Sequence, residues 1–597
     1  MVALSTHVAA DARSSDAASS EVAHKSAGGE CIQTELNLDN LLDTKLWNLP
    51  GWNNNEPIAK PTSEVLNSLD QSLALLARYR NSLRPFNRLS SDILLAIFLN
   101  IMAEYADPYN GAFGSYAFMS FSKVCHSWRD LTLSSPMLWK QISTRFPSAA
   151  LVALERSTDS GFHLVIPEGT RSEIASPVLE AIAKHAHRLR GLYLPSDILK
   201  RSDGSIHPML LPLINSSAPR LERLETVKMR GDGSCVQLPV LFKGETPELR
   251  SLRIQYMWPS VQGLTLANLR ELSFCGKKRM QISLSLSSLF DLLEASPLLR
   301  LLHIVKVDWQ PADEGDTRRV RLEHLRSIDL GPASAATTSE IISRLDTPEC
   351  ALRLKVWLER YEDSKFHVGV PPEHELPPEH YLHHVRKMHV EFLSGYDSVT
   401  IHGATATLPF EIRCDLEGGT VQNLGDMDAI AATVFQAVIH AFDFTELEEF
   451  AITEMRSNTR WTGFTRQIWM GMFCRMPSLR QFHITMDSCY DEGFSRSILS
   501  ALSSPEHLPG QPLCPCLEDL FVVGDKTWSS LQCYTLAEER HKRGHPLKRV
   551  SMRLPHYASF ANPDDTDLPL LRKYVEKVDL EPEDITFPDW PDTLLIN

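Results

Sequence analysis

The chain has 597 residues, of which 43% are apolar, and a formal net charge of -15. That length exceeds what one compact core sustains, so several domains or one elongated repeat array are expected. No run of lysine and arginine rises out of the acidic background, which leaves no phosphate-backbone footprint and no ground for a nucleic-acid partner.

Residues 1–61 mix Ala, Ser, Asn, Pro and charge, a composition that cannot offset its own ordering entropy, and read as a disordered arm. Asp11, Arg13, Asp16, Glu21 and Lys25 interrupt the first stretch, so it has the pattern of neither a signal peptide nor a membrane span. The longest apolar stretch, Ile93 to Met102, is broken by Asn100 and is far short of the roughly 20 residues a bilayer needs. The expectation is therefore no membrane partner. The 11 cysteines lack paired spacing and read as reduced thiols in an intracellular protein, cytoplasmic and/or nuclear.

Over 62–84, Leu66, Leu69, Leu73, Leu76 and Leu83 fall on one helical stripe, which predicts an amphipathic helix. The segment 86–142 follows. Ser90 or Ser91 can cap a helix there, with Asp92 in its positive first turn. Leu89, Ile93, Leu94, Ile97, Phe98 and Ile101 give this helix a broad apolar face. Beyond an insertion at Asp107 to Tyr116, Phe118, Phe121, Val124, Cys125, Trp128 and Leu131 predict a second helix. Ser134-Ser135-Pro136 then offers a cap and a first-turn proline for a third, short helix carrying Met137, Leu138 and Trp139. A unit this small buries too little of its own apolar surface, and the excess implies a partner.

The strings Leu89-Ser-Ser-Asp-Ile-Leu-Leu-Ala-Ile-Phe98, Val124-Cys-His-Ser-Trp-Arg129 and Ser135-Pro-Met-Leu-Trp139 resemble the F-box, in order and over about a tenth of the chain. Ser90 stands where the family usually has proline, Asp92 where it has glutamate, and the insertion lengthens a connection that is normally tight. The resemblance implies a non-enzymatic subunit of an SCF-type ubiquitin ligase. In that family the box binds a Skp-type adaptor and, through it, cullin and RING subunits. Carried over residue by residue, the adaptor contact and its packing fall on Leu89, Ile93, Leu94, Ile97, Phe98, Val124, Trp128, Leu138 and Trp139.

Over 160–555 the string Leu-x-x-Leu-x-Leu, or a close variant, recurs in about eleven copies, for example at Leu249 to Ile254, Leu269 to Phe274, Leu479 to Ile484 and Leu547 to Met552. Helical patterns such as Leu289 to Leu293 lie between copies. One such unit cannot cover its own apolar face, but stacked units can. The region is similar to irregular leucine-rich repeats, and the resemblance implies an α/β solenoid with parallel strands on its concave side and helices outside.

Alternation along the strands decides which side chains leave the core. It selects Ser251, Arg253 and Gln255, then Lys387, His389 and Glu391, then Gln481, His483 and Thr485, then Arg549, Ser551 and Arg553 as the candidate surface for an unknown protein substrate. The acidic segment 556–597 is expected to be a tail or a cap.

Tests for catalytic chemistry fail. Gly231-Asp-Gly-Ser-Cys-Val236 lacks the third glycine of a dinucleotide loop, and His374 to His380 has two prolines and the wrong spacing for a zinc-protease helix. His380, His383 and His384 lack supporting cysteines or carboxylates, and Cys514-Pro-Cys516 is too tight for a zinc pair, so a turn is expected there. No enzyme activity, cofactor or metal is expected. The alternative to a ligase subunit is a scaffold whose three helices only cap the repeat array.

Overall fold

In the computed structural model the described residues are 63–104 and 118–579, less 168–169, 171, 196–205, 228–235, 238–239, 256, 259–264, 277–283, 306, 308, 314, 349, 359–380, 394–397, 407, 417–434, 438–440, 456–463, 487–491, 505–511, 524–529 and 554–566. The arm read at 1–61, the insertion, the motif at His374 to His380 and most of Gly231 to Val236 lie outside them. The described residues divide between Arg84 and Pro85 into two compact units. In the first, helix α1, Ser63–Ser82, has no buried residue, and Leu66, Leu69, Leu73 and Leu76 are exposed.

The second unit opens with helices α2, Ser91–Glu104, α3, Phe118–Phe121, and α4, His126–Ser134, then a 3-10 turn, Pro136–Trp139. Ser90 takes the capping role, its Oγ accepting from the Ile93 backbone N–H at 3.5 Å. Ser135 does not cap the turn after it. Its hydroxyl donates backwards to the Leu131 carbonyl at 2.6 Å, closing α4, while Pro136 supplies the first-turn proline.

From Gln141 onward the chain builds one 17-stranded sheet. In chain order its first nine strands are β1 Gln141–Ser143, β2 Phe162–Val165, β3 Leu189–Pro195, β4 Arg223–Val227, β5 Ser251–Gln255, β6 Glu271–Cys275, β7 Leu301–Val305, β8 Ser327–Ser334 and β9 Ala351–Leu358. Each pairs in parallel with the next. The order then reverses. Strands β10 Lys387–Leu393, β11 Ser398–Ala404 and β12 Pro409–Leu416 form a meander that enters the sheet backwards, so β12 lies beside β9 and β10 lies beside β13, Glu449–Met455. Only β11 runs antiparallel to its neighbours among these strands. Parallel order resumes through β14 Gln481–Met486, β15 Asp519–Val523, β16 Arg549–Arg553 and β17 Lys577–Asp579.

The architecture is thus α/β, with a large and mostly parallel sheet. Every Leu-x-x-Leu-x-Leu copy contributes a strand, but β1, β2, β9, β11, β12 and β17 come from segments without that string. The sheet also begins before 160 and runs past 555, because Lys577–Asp579 extends it from the acidic end.

The leucine pattern explains one face. Leu224, Leu252, Leu272, Leu302, Ile328 and Leu352 stand opposite one another across successive strands, and a second row runs through Ile254, Phe274, Ile304, Leu330, Leu354 and Ile412. Both rows are buried in one continuous apolar core. Helices such as Leu286–Glu294 and Arg466–Phe473 cover it with Leu289, Phe290, Leu293, Trp469 and Phe473. Where the meander inverts the order, Gly403 faces Phe410, whose ring lies 2.0 Å from where a Cβ would sit, so only glycine leaves room for it. Gly331, at φ 147, sits at the register shift in β8, and a Cβ there would meet the Lys355 carbonyl at 2.4 Å.

Candidate interaction surfaces

The three-helix unit is held by an aromatic cluster. Phe98 stacks on Phe121 with centroids 4.4 Å apart and meets Trp128 edge-on at 4.9 Å. Trp128 Nε1 donates to Asn87 Oδ1 at 2.7 Å, and Trp139 Nε1 donates to the Thr132 carbonyl at 2.8 Å, so both indoles are partnered as burial requires. The Arg156 guanidinium lies over Trp139 and donates to the Leu133 carbonyl, tying the unit to the first helix beside the sheet, Pro147–Arg156.

This packing divides the nine sequence-selected residues. Leu94, Phe98, Leu138 and Trp139 are buried inside the chain and cannot meet a partner, so for them only the packing role survives. Leu89, Ile97 and Trp128 are half-buried. Ile93 and Val124 are 50% and 56% exposed, and Phe86, Met119 and Met137 from the same unit are also exposed.

All twelve residues selected along the strands lie on strands of the one sheet, at positions alternating with core residues. Ser251, His483 and Ser551 are nevertheless buried and not surface. His483 stacks on Phe521 at 4.0 Å, and Ser251 Oγ donates to Glu271 at 2.9 Å. Arg253, Gln255, Lys387, His389, Glu391, Gln481, Thr485 and Arg549 are half-exposed, and the side chain of Arg553 lies outside what is described. Neighbouring strands pair opposite charges across this face: Arg253 with Glu271 at 3.5 Å, His303 with Asp329 at 2.9 Å, Arg353 with Glu411 at 3.3 Å and Lys387 with Glu449 at 2.9 Å.

The meander concentrates imidazoles. Glu391 lies 3.6 Å from both His389 and His402, and His389 Nε2 is 2.7 Å from Thr453 Oγ1. Burial draws the His389 imidazole from its usual 6.5 down to about 4, against the pull of Glu391 and with the help of His402. The His402 hydrogen bond holds the Glu391 carboxyl below its ordinary range. An unfolded chain takes up the His389 proton near 6.5 and the folded chain only near 4, so this stabilising term is complete above 6.5 and is lost as pH falls through that window. Thermal melts at about pH 7 and about pH 5 should therefore show a smaller fall for His389→Gln than for the wild type; equal falls would remove the assignment. Glu391 adds its own loss only below its ordinary 4.5.

No family model matches the chain, and no curated protein matches it. Among solved structures, the crystal structure of a Bacteroides fragilis protein aligns with 56% of this chain at 14% identity and a TM-score of 0.17, and the alignment spans 66% of that protein's chain. A score that low carries no argument about function.

The polar face holds residues that sequence reasoning passed over. His303 and Asp329 sit at alternate positions of recognised copies, so the same rule would have found them. His402 and Glu411 belong to strands without the leucine string and left no such signal. His384 Nδ1 lies 3.3 Å from Glu446. Cys514-Pro515-Cys516 is a turn, with Cys514 buried and its thiol pushed well above the ordinary range by burial, and Cys516 exposed. Among the described residues no cluster of histidine, cysteine and carboxylate has metal-binding geometry, and no helix is long and apolar enough to cross a membrane.

Proposed function

We propose that the chain is an F-box-type adaptor whose three-helix unit binds a Skp-type subunit of a ubiquitin ligase and whose repeat sheet, of irregular leucine-rich-repeat type, holds a target protein. One observation carries the reading: Ile93 and Val124, with Phe86, Met119 and Met137, stay exposed on a unit whose Leu94, Phe98, Leu138 and Trp139 are buried. Exposed apolar side chains gathered on one small helical module are what a protein partner covers. Each such side chain contributes about 1.5–3 kcal/mol when fully buried, so a few suffice for specific binding. The chain then supplies proximity between target and ligase, and the chemistry belongs to other subunits.

Pull-down with a purified Skp-type adaptor tests this. The wild-type chain should capture the adaptor, and Ile93→Asp should lose it while melting at the same temperature. No capture by a well-folded wild type would leave the second reading, a ligase-independent scaffold. That reading is favoured by the continuity of Phe98, Met102, Leu138 and Trp139 with the core of the sheet, as expected of a cap on a repeat array.

A further inference from the structure

The residue just ahead of each strand forms a column of its own. The backbone N–H of Arg270 donates to the carbonyl of Arg250 at 2.7 Å, that of Arg300 to Arg270 at 2.7 Å, and that of Arg326 to Arg300 at 2.8 Å. Four arginines are therefore stacked one per strand on β5 to β8, and all four side chains are exposed. Arg250 has Glu248 at 3.2 Å, whereas Arg270, Arg300 and Arg326 have no carboxylate within ion-pair distance among the described residues.

The other half of the sheet treats the same position differently. There the column reads Arg386, Glu448, Arg480, Glu518 and Lys548, each bonded through the backbone to the one before. Its charges alternate, and Lys548 reaches Glu518 at 2.7 Å. One half alternates throughout, whereas in the other the alternation of Arg190 and Glu222, paired at 2.8 Å, gives way from Arg250 onward to like charges on strands about 4.8 Å apart, which repel. Such a row lowers its energy when an anion lies along it.

We infer that the row Arg250, Arg270, Arg300 and Arg326 is a docking strip for an extended acidic peptide segment of a partner protein. Four strands span about 14 Å between the outer arginines, and five residues of extended chain cover about the same distance with alternate side chains on one side. Three carboxylates of a Glu-x-Glu-x-Glu segment would then face four guanidiniums, which accept carboxylates in a bidentate fork. A long nucleic acid fits less well, because the strip is one residue wide and the chain around it carries a net charge of -15. This deepens the target-binding half of the proposed function and rests on it.

The test uses the full chain alone, without any ligase subunit, and a fluorescein-labelled decapeptide of alternating glutamate and serine. Fluorescence anisotropy should report binding that weakens as salt rises from about 0.05 M to about 0.5 M. R270E/R300E should weaken binding about tenfold or more, and R270Q/R300Q should weaken it several-fold without lowering the melting temperature. R480E, in the self-neutralised half, should stay within about twofold of wild type. Absence of binding, equal binding by R270E/R300E, an equal loss in R480E, or tighter binding of a dT oligonucleotide than of the peptide would each overturn the inference. Because no adaptor is present, a failure here is distinct from a failure of adaptor capture.

Discussion

Phe98→Ala is expected to lower the stability of the N-terminal end of the large unit by about 3–5 kcal/mol. The ring is 1% exposed and is shared between Phe121 and Trp128, so truncation removes its transfer energy and leaves a cavity that two rigid aromatics fill poorly. Chemical unfolding followed by Trp128 and Trp139 fluorescence should show an earlier transition with this variant. Ile93→Asp, on the same helix but half-exposed, should leave that transition within about 0.5 kcal/mol of wild type. Should the two variants destabilise equally, Ile93 would be a packing residue, and the exposed patch on which the adaptor reading stands would be lost.

Arg540→Met should unfasten the C-terminal units, with a loss of about 3 kcal/mol or more. Arg540 is 1% exposed and spends its guanidinium on three carbonyls, donating to Leu513 at 2.9 Å, Cys514 at 3.0 Å and Leu517 at 3.3 Å. Burial draws its pKa down to about 10, so it remains charged at neutral pH with no carboxylate paired to it among the described residues. Methionine can fill the stem volume but takes the donor from the Leu513 and Leu517 carbonyls in a dry place, at about 1–3 kcal/mol each, while the Cys514 carbonyl keeps the Leu517 N–H at 3.0 Å. Lysine keeps the charge without the planar fork and should recover only part of the loss. Amide hydrogen exchange resolved over 513–523 is the measurement. Protection unchanged in Arg540→Met would show that the turn before β15 holds itself.

How far the sequence could be read is clearest strand by strand. In Leu249 to Ile254 the leucines, the intervening arginine and the alternation sit within six positions, so the strand, its core face and its polar face all follow from neighbours in the chain. For β9, β11 and β12 the leading leucine pair is missing, and the segments are recognisable only by the strands they meet. The helical unit divided in the same way. Its apolar periodicity marked the helices, but whether Phe98 or Ile93 faced solvent depended on Phe121 and Trp128, which reach one side of the helix from beyond the insertion.

What the sequence alone determined is therefore local: where the strands of the leucine string and the apolar helices form, and which side of each is apolar, because both follow from periods of two and about 3.6 residues. The tertiary structure alone decided the reversed entry of the meander, the pairing of His389 and His402 around Glu391, and the column Arg250, Arg270, Arg300 and Arg326. Apart from His389 and Glu391, which share β10, those residues become neighbours only through strand register, antiparallel between β10 and β11 and parallel along the arginine column. Charges that average out in composition can still be aligned like beside like by a hydrogen-bond ladder.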